Sequence, residues 1–148
     1  MPWKTTLDRA RRDRRQGKAA TTQAGEFVRE EMEHVRRDMH GARSARQAIA
    51  IGLNKARRAG VALKPPRPGQ ASEKTRRAAE SASRHGRSQS SRRPNPRRSR
   101  AATRALEREG RSAASRRSLS RQAHSAAARR RRSGASSRSG RSGRSRSR

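Results

Sequence analysis

Phe27-Val28-Arg29-Glu30-Glu31-Met32-Glu33-His34-Val35-Arg36-Arg37-Asp38-Met39-His40-Gly41-Ala42-Arg43-Ser44-Ala45-Arg46-Gln47-Ala48-Ile49-Ala50-Ile51-Gly52-Leu53 is the stretch that decides the fold. Val28, Met32, Val35 and Met39 recur at i, i+4, i+7 and i+11, a narrow apolar stripe on one helix that Phe27 widens. Thr21 or Thr22 starts this helix and Gly41 follows its end. Ser44-Ala45-Arg46-Gln47 then fits a capping box. Behind it, Ala45, Ile49, Gly52, Leu53, Ala56 and Ala59 share one helical face. Gly60 suits a left-handed stop, with Val61 folding back on the last turn. The two helices, joined at His40-Gly41-Ala42-Arg43, make an αα-hairpin. Ala48, Gly52 and Ala56 are small enough to admit another helix closely, a route to a homo-oligomer.

Upstream, a helix is expected from about Thr6 to Gln16, capped by Thr6 and ended by Gly17. It is too polar to stand alone. Downstream, the chain changes character. Residues 1–66 hold Trp3, Leu7, Phe27, Val28, Met32, Val35, Met39, Ile49, Ile51, Leu53, Val61 and Leu63, whereas residues 67–148 hold only Leu106 and Leu119 among large apolar side chains. The charge shifts too, from a net +9 before Arg67 to +22 after Pro66. Between them, Lys64-Pro65-Pro66-Arg67-Pro68-Gly69 stops any helix. The expected fold is therefore all-α. Residues 1–66 form a small helical domain, the hairpin plus an N-terminal helix. Residues 67–148 form a mostly disordered Arg/Ser/Ala-rich arm, with nascent helices near 72–84, 99–109 and 112–132. The Arg/Ser/Gly run from Ser133 to Arg148 is expected to stay flexible.

The chain of 148 residues carries 42 Lys+Arg against 11 Asp+Glu, a formal charge of +31, with 27% hydrophobic residues and no Cys. That excludes disulfides and thiolate metal sites. No run of 18 apolar residues is present to span a membrane. Met1-Pro2-Trp3-Lys4 leads into a charged segment rather than a signal peptide, so the expected compartment is the cytoplasm.

The basic residues are 37 Arg and 5 Lys. A GC-rich genome would favour Arg codons over Lys codons, but it does not explain the net charge. Arg grips phosphate through a planar fork of donors, so the excess points to a polyanion, most commonly nucleic acid. Residues 23–39 sum to −2, while residues 45–59 hold Arg46, Lys55, Arg57 and Arg58 and no acid. These four are the candidate phosphate-facing residues of the domain; the alternative is a solvated basic face offset by the acidic helix. In the arm the candidates are Arg92, Arg93, Arg97, Arg98, Arg100, Arg116, Arg117, Arg129, Arg130, Arg131 and Arg132. Such clusters bind a phosphate backbone through counterion release, without reading sequence.

Glu31-Met32-Glu33-His34 carries Glu-x-x-His, a spacing used in di-metal helical bundles. Those sites need a second copy, which is absent, so no metal and no other cofactor is expected. His40 falls in the turn, and His85 and His124 in the arm. No Ser/His/Asp set, nucleophile elbow or phosphate loop appears, so no enzyme is expected. Trp3 and Phe27 suit a core better than a platform for stacked bases.

Residues 23–32 and 40–60 look like a small bacterial domain family with the pattern H-G-x-x-S-x-x-Q-A-I-A-I-G-L-x-x-A-R-x-A-G. The resemblance covers roughly residues 1–66. It implies a bacterial cytoplasmic protein and no reaction; members are often described only as DNA-binding. The arm resembles, more weakly, the tails of bacterial histone-like proteins and protamines. The expected function is non-specific DNA binding in the nucleoid, with RNA acceptable as ligand. The alternative is an Arg/Ser-rich interaction or RNA-binding protein whose arm is neutralised by phosphorylation.

Overall fold

The computed structural model describes residues 2–88 and 95–139, with side chains through Arg132. Three helices, α1 (Lys4–Arg15), α2 (Ala20–Arg36) and α3 (Ala45–Arg58), end in one way. Each is followed by a residue in the left-handed region: Gly17 at φ 69°, Asp38 at 61° and Gly60 at 88°. The amide after that residue reaches back to the last full turn, Lys18 to Asp13, Met39 to His34 and Val61 to Ala56. This closes carbonyls that a bare helix end would leave open. Asp38 tolerates the conformation as few residues other than glycine do.

The Asp38 stop ends α2 earlier than the stripe predicts. Met39 therefore leaves the core and is 52% exposed. Thr6, expected as a cap, lies inside α1 and is buried; the carbonyl of Trp3 accepts from the amides of Thr6 and Leu7 instead. Ser44 caps α3 as expected, its Oγ accepting from the Gln47 amide at 3.2 Å. Gln47 Oε1 accepts in return from the Arg43 amide at 2.8 Å.

The α2–α3 hairpin is the centre. At its crossing Gly52 faces backbone: a Cβ there would lie 2.8 Å from Val28 Cα and 3.1 Å from the Phe27 carbonyl oxygen. The small-residue face of α3 is thus covered by α2 of the same chain. Two clusters of buried side chains flank the crossing. Ala10, Ala24, Phe27 and Ala56 form one, bordered by Leu7, Leu53, Val61 and Leu63. Met32, Val35, Ala42, Ala48, Ala113 and Ala114 form the other, bordered by Val28, Ile49 and Leu119.

Beyond Pro66 the described chain is helical: α4 (Glu73–Ser88), α5 (Pro96–Glu107), a 3-10 turn (Ser112–Ala114) and α6 (Arg116–Ser139). Asn95 caps α5, accepting from the Arg97 amide at 3.0 Å, with Pro96 in the first turn. That start lies three residues ahead of the expected helix. α6 continues to Ser139, into the run expected to be flexible; residues 140–148 lie outside the described residues.

These elements make contacts that the break at Pro66 does not foresee. α4 packs on α3 and buries Ala79 and Ala82. At its end Gly86 meets the Arg57 carbonyl so closely that a Cβ would not fit. The amide of Gly41 donates to the Leu106 carbonyl at 2.9 Å, and that of Ala42 to the Gly110 carbonyl at 3.1 Å. Ala113 and Ala114 sit in the same cluster as Val35. Alanine is the reason: it buries little area per residue but lets backbones approach, so a count of large apolar residues overlooks it. The described residues hold no strand, only an isolated bridge between Pro68 and Ala71. The architecture is all-α.

Candidate functional site

Acid placement shapes the surface. Ten of the 11 acidic residues lie within 4.0 Å of a cationic or imidazole nitrogen among the described residues. Several of these pairs are local, such as Arg37 with Glu33 and Arg76 with Glu73 and Glu80. Many of the described arginines face water.

The four basic residues expected on one face of α3 do not act together. Arg46 and Arg58 are exposed. Lys55 turns inward, with Nζ 2.6 Å from Glu31 Oε2. Arg57 is 6% exposed; its Nη2 donates to the Lys64 carbonyl at 3.2 Å, and burial pulls its pKa below the ordinary value. Position on a helical wheel does not reveal that α4 covers this end of α3. In the second half, Arg97, Arg98 and Arg100 on α5 are exposed, as are Arg116, Arg117, Arg129, Arg130, Arg131 and Arg132 on α6. Arg92 and Arg93 lie outside the described residues.

Folding adds two arginines that the sequence does not single out. Arg36, Arg111 and Arg116, with Ala114 and Ser115, line an open groove of about 460 Å³ at the start of α6. Ser115 Oγ accepts from the Ser118 amide at 3.2 Å, closing one of the free donors of that helix start. Arg111 Nε stands 3.5 Å from Asp38 Oδ1, while Arg36 and Arg116 have no carboxylate within 4 Å among the described residues. A helix N-terminus flanked by guanidinium groups favours an anion. These arginines come from α2, the 108–111 connection and α6, so no local pattern links them.

A second constellation is buried under α1. Glu30, Glu31 and His34 occupy the inner side of α2 and are 3%, 0% and 6% exposed. The Trp3 amide donates to Glu30 Oε2 at 3.1 Å. The Trp3 ring stands edge-to-face on His34 at 4.6 Å, with the Arg37 guanidinium 5.8 Å from the Trp3 ring centre. His34 meets His40 at 5.6 Å, again edge-to-face. His40 Nδ1 lies 3.1 Å from its neighbour's carbonyl, Gly41 O, and Nε2 lies 3.2 Å from Glu31 Oε1. Burial lowers the His34 pKa, and the nearby Lys55 charge reinforces this against Glu30 and Glu31. One donor atom from each of Glu31, His34 and His40 falls within 4.8 Å of the others. The sequence offers Glu31 and His34 as a pair but leaves His40 in a turn. The Asp38 stop folds that turn back over the helix.

Together these features define a small all-α protein with a basic exterior and its few acids drawn inward or paired. No family profile matches the chain, and no curated protein or solved structure matches it either. Among the described residues no helix is long and apolar enough to cross a membrane.

Proposed function

We propose that this chain is a non-specific DNA-binding protein of the bacterial nucleoid, a binding protein and not an enzyme, and a member of the family that residues 40–60 resemble. The observation that carries the reading is the division of charge. Nearly every carboxylate is paired or buried, while Arg36 and Arg116 flank an open groove at a helix start. Exposed Arg97, Arg98, Arg100, Arg117, Arg129, Arg131 and Arg132 extend the positive surface along α5 and α6. Guanidinium groups spread along helices can supply phosphate contacts, which carry no sequence information. RNA remains an acceptable ligand because a phosphate backbone carries the same charge.

Duplex binding measured against salt tests the proposal. With about ten phosphates neutralised, log K should fall against log[salt] with a slope near about −9. Scrambled duplexes of equal length should bind within a few-fold of one another. Changing Arg36 and Arg116 to Gln should flatten the slope by about 2, one for each lost phosphate contact. A shallow slope with strong preference for one sequence overturns the reading.

A further inference from the structure

We infer that Glu31, His34 and His40 form a binding site for one divalent transition-metal ion, zinc above all. The site owes nothing to nucleic-acid binding. His40 Nδ1 faces the Gly41 carbonyl at 3.1 Å, so Nδ1 carries the hydrogen and donates. In neutral His40, Nε2 then presents a lone pair to Glu31 Oε1, itself a lone-pair atom, only 3.2 Å away. Two acceptors at that distance need a positive centre. A proton would have to lie along the line between them, yet Glu31 Oε1 has no aligned hydrogen-bond partner. A metal ion satisfies both atoms from off that line, at the apex of a triangle.

His34 completes the set. Its ring is buried beside both glutamates, within reach of His40. Its nitrogens stand 3.6 Å from Glu30 Oε1 and 3.9 Å from Glu31 Oε2, too far for a hydrogen bond, and Nε2 has no partner. Glu31 Oε1 and Glu30 Oε1 are also buried without an aligned donor, whereas Glu31 Oε2 is held by Lys55. Unpartnered polar atoms of this kind, on side chains more than nine-tenths buried, are costly unless something binds them.

The spacing suits such an ion. Two imidazoles on one zinc at about 2.0–2.1 Å have ring centres roughly 5 Å apart in tetrahedral geometry. The rings of His34 and His40 stand 5.6 Å apart. Two imidazoles and one carboxylate are a common zinc donor set with a fourth position open. The surrounding partners fit as well. The Gly41 carbonyl fixes the His40 tautomer, and Lys55 Nζ holds Glu31 Oε2 at 2.6 Å, turning Oε1 toward the rings. Trp3 covers His34 from the α1 side.

The test uses the full chain, stripped with a chelator and freed of nucleic acid at high salt. Zinc is then titrated against a colorimetric indicator. One equivalent should bind, the fluorescence of Trp3, the single Trp, should change in step, and the unfolding temperature should rise. His34→Asn and His40→Asn should each lower affinity beyond the roughly 10–100-fold that loss of an outer partner causes. His85→Asn and His124→Asn, at exposed positions, should leave it unchanged. Cobalt added to the unchanged chain asks the same question without a substitution that could unfold it. Intense tetrahedral visible bands are expected. The weak spectrum of the octahedral aquo ion, or zinc binding that survives loss of both rings, overturns the inference.

Discussion

Gly52→Ala adds one methyl group at the α2–α3 crossing, and its effect should have the opposite sign to that expected of a helical Gly→Ala change. A Cβ at 52 would lie 2.8 Å from Val28 Cα, 3.0 Å from Val28 N and 3.1 Å from the Phe27 carbonyl oxygen. All three are backbone atoms, which cannot rotate away. Carbon atoms pack best at about 3.5–4.0 Å, so the helices would have to part by roughly 1 Å. Overpacking of this kind costs about 1–3 kcal/mol, and a backbone obstacle places it near the top. Replacing glycine inside a helix recovers about 1 kcal/mol of propensity. The net expectation is a loss of about 2 kcal/mol, or a fall in Tm of roughly 8 °C for a chain of this size. Gly25→Ala is the control. Gly25 lies in α2 with nothing within 4 Å of an added Cβ, so that change should stabilise by about 0.5–1 kcal/mol. Thermal and urea unfolding followed by circular dichroism reads both. A Gly52→Ala chain at least as stable as the native one would refute the close crossing.

Three other perturbations probe separate contacts. Gly86→Ala should push α4 off the Arg57 carbonyl and speed tryptic cleavage within residues 73–88, leaving residues 20–58 resistant; an unchanged digest means α4 does not dock there. Lys55→Met removes the cation beside fully buried Glu31 and should cost about 3 kcal/mol in urea unfolding. An unaltered midpoint would show that the pair contributes nothing. Acid should weaken the metal-free protein through His34, which faces Glu30, Glu31, His40 and Lys55. Its unfolded form takes up a proton near the ordinary 6.5, its folded form only at lower pH, so between the two the unfolded state holds more protons. Stability should therefore be full above that window and fall as pH drops through it. His34→Asn should flatten the dependence of Tm between about pH 7.5 and about pH 5.5.

Local signals in this sequence proved legible, and long-range ones did not. The Ser44 cap, the Gly60 stop and the Val28–Met32–Val35 face each depend on residues within one or two turns, and all three stand in the structure. Asp38 was opaque because an aspartate in the left-handed region leaves no strong mark, and with it went the position of Met39 and the docking of His40. Of the candidate phosphate residues on α3, Arg46 and Arg58 are exposed, while Lys55 and Arg57 are drawn from solvent for a tertiary reason. Lys55 and Arg57 point away from the apolar stripe, but an acidic neighbour and a fourth helix cover that side. The alanines of α4 and of the 112–114 turn escape a count of large apolar residues because transfer energy scales with apolar area, and alanine has little. Their value here is steric, which composition cannot display.

The placement of acids links this packing to the proposed binding. Glu30 and Glu31 lie inside, and Glu26 and Asp13 are mostly covered. α6 has no acid at all, and α5 has only Glu107. The charge of +31 is thus concentrated where the packing is thinnest, since α5 buries no side chain. Like charges at this density oppose compaction, and salt at about 0.1 M screens them only beyond about 10 Å. A duplex lying along α5 and α6 would supply counter-charge to two helices that hold a single carboxylate, Glu107, between them. Whatever binds the folded form alone stabilises it, so under the proposed function phosphate binding specific to the folded form and the docking of Leu106–Gly110 on the 41–42 loop would favour each other. Under the proposed function the arginines of the second half would do two things with one charge: attract the polyanion, and tie the order of their own helices to it.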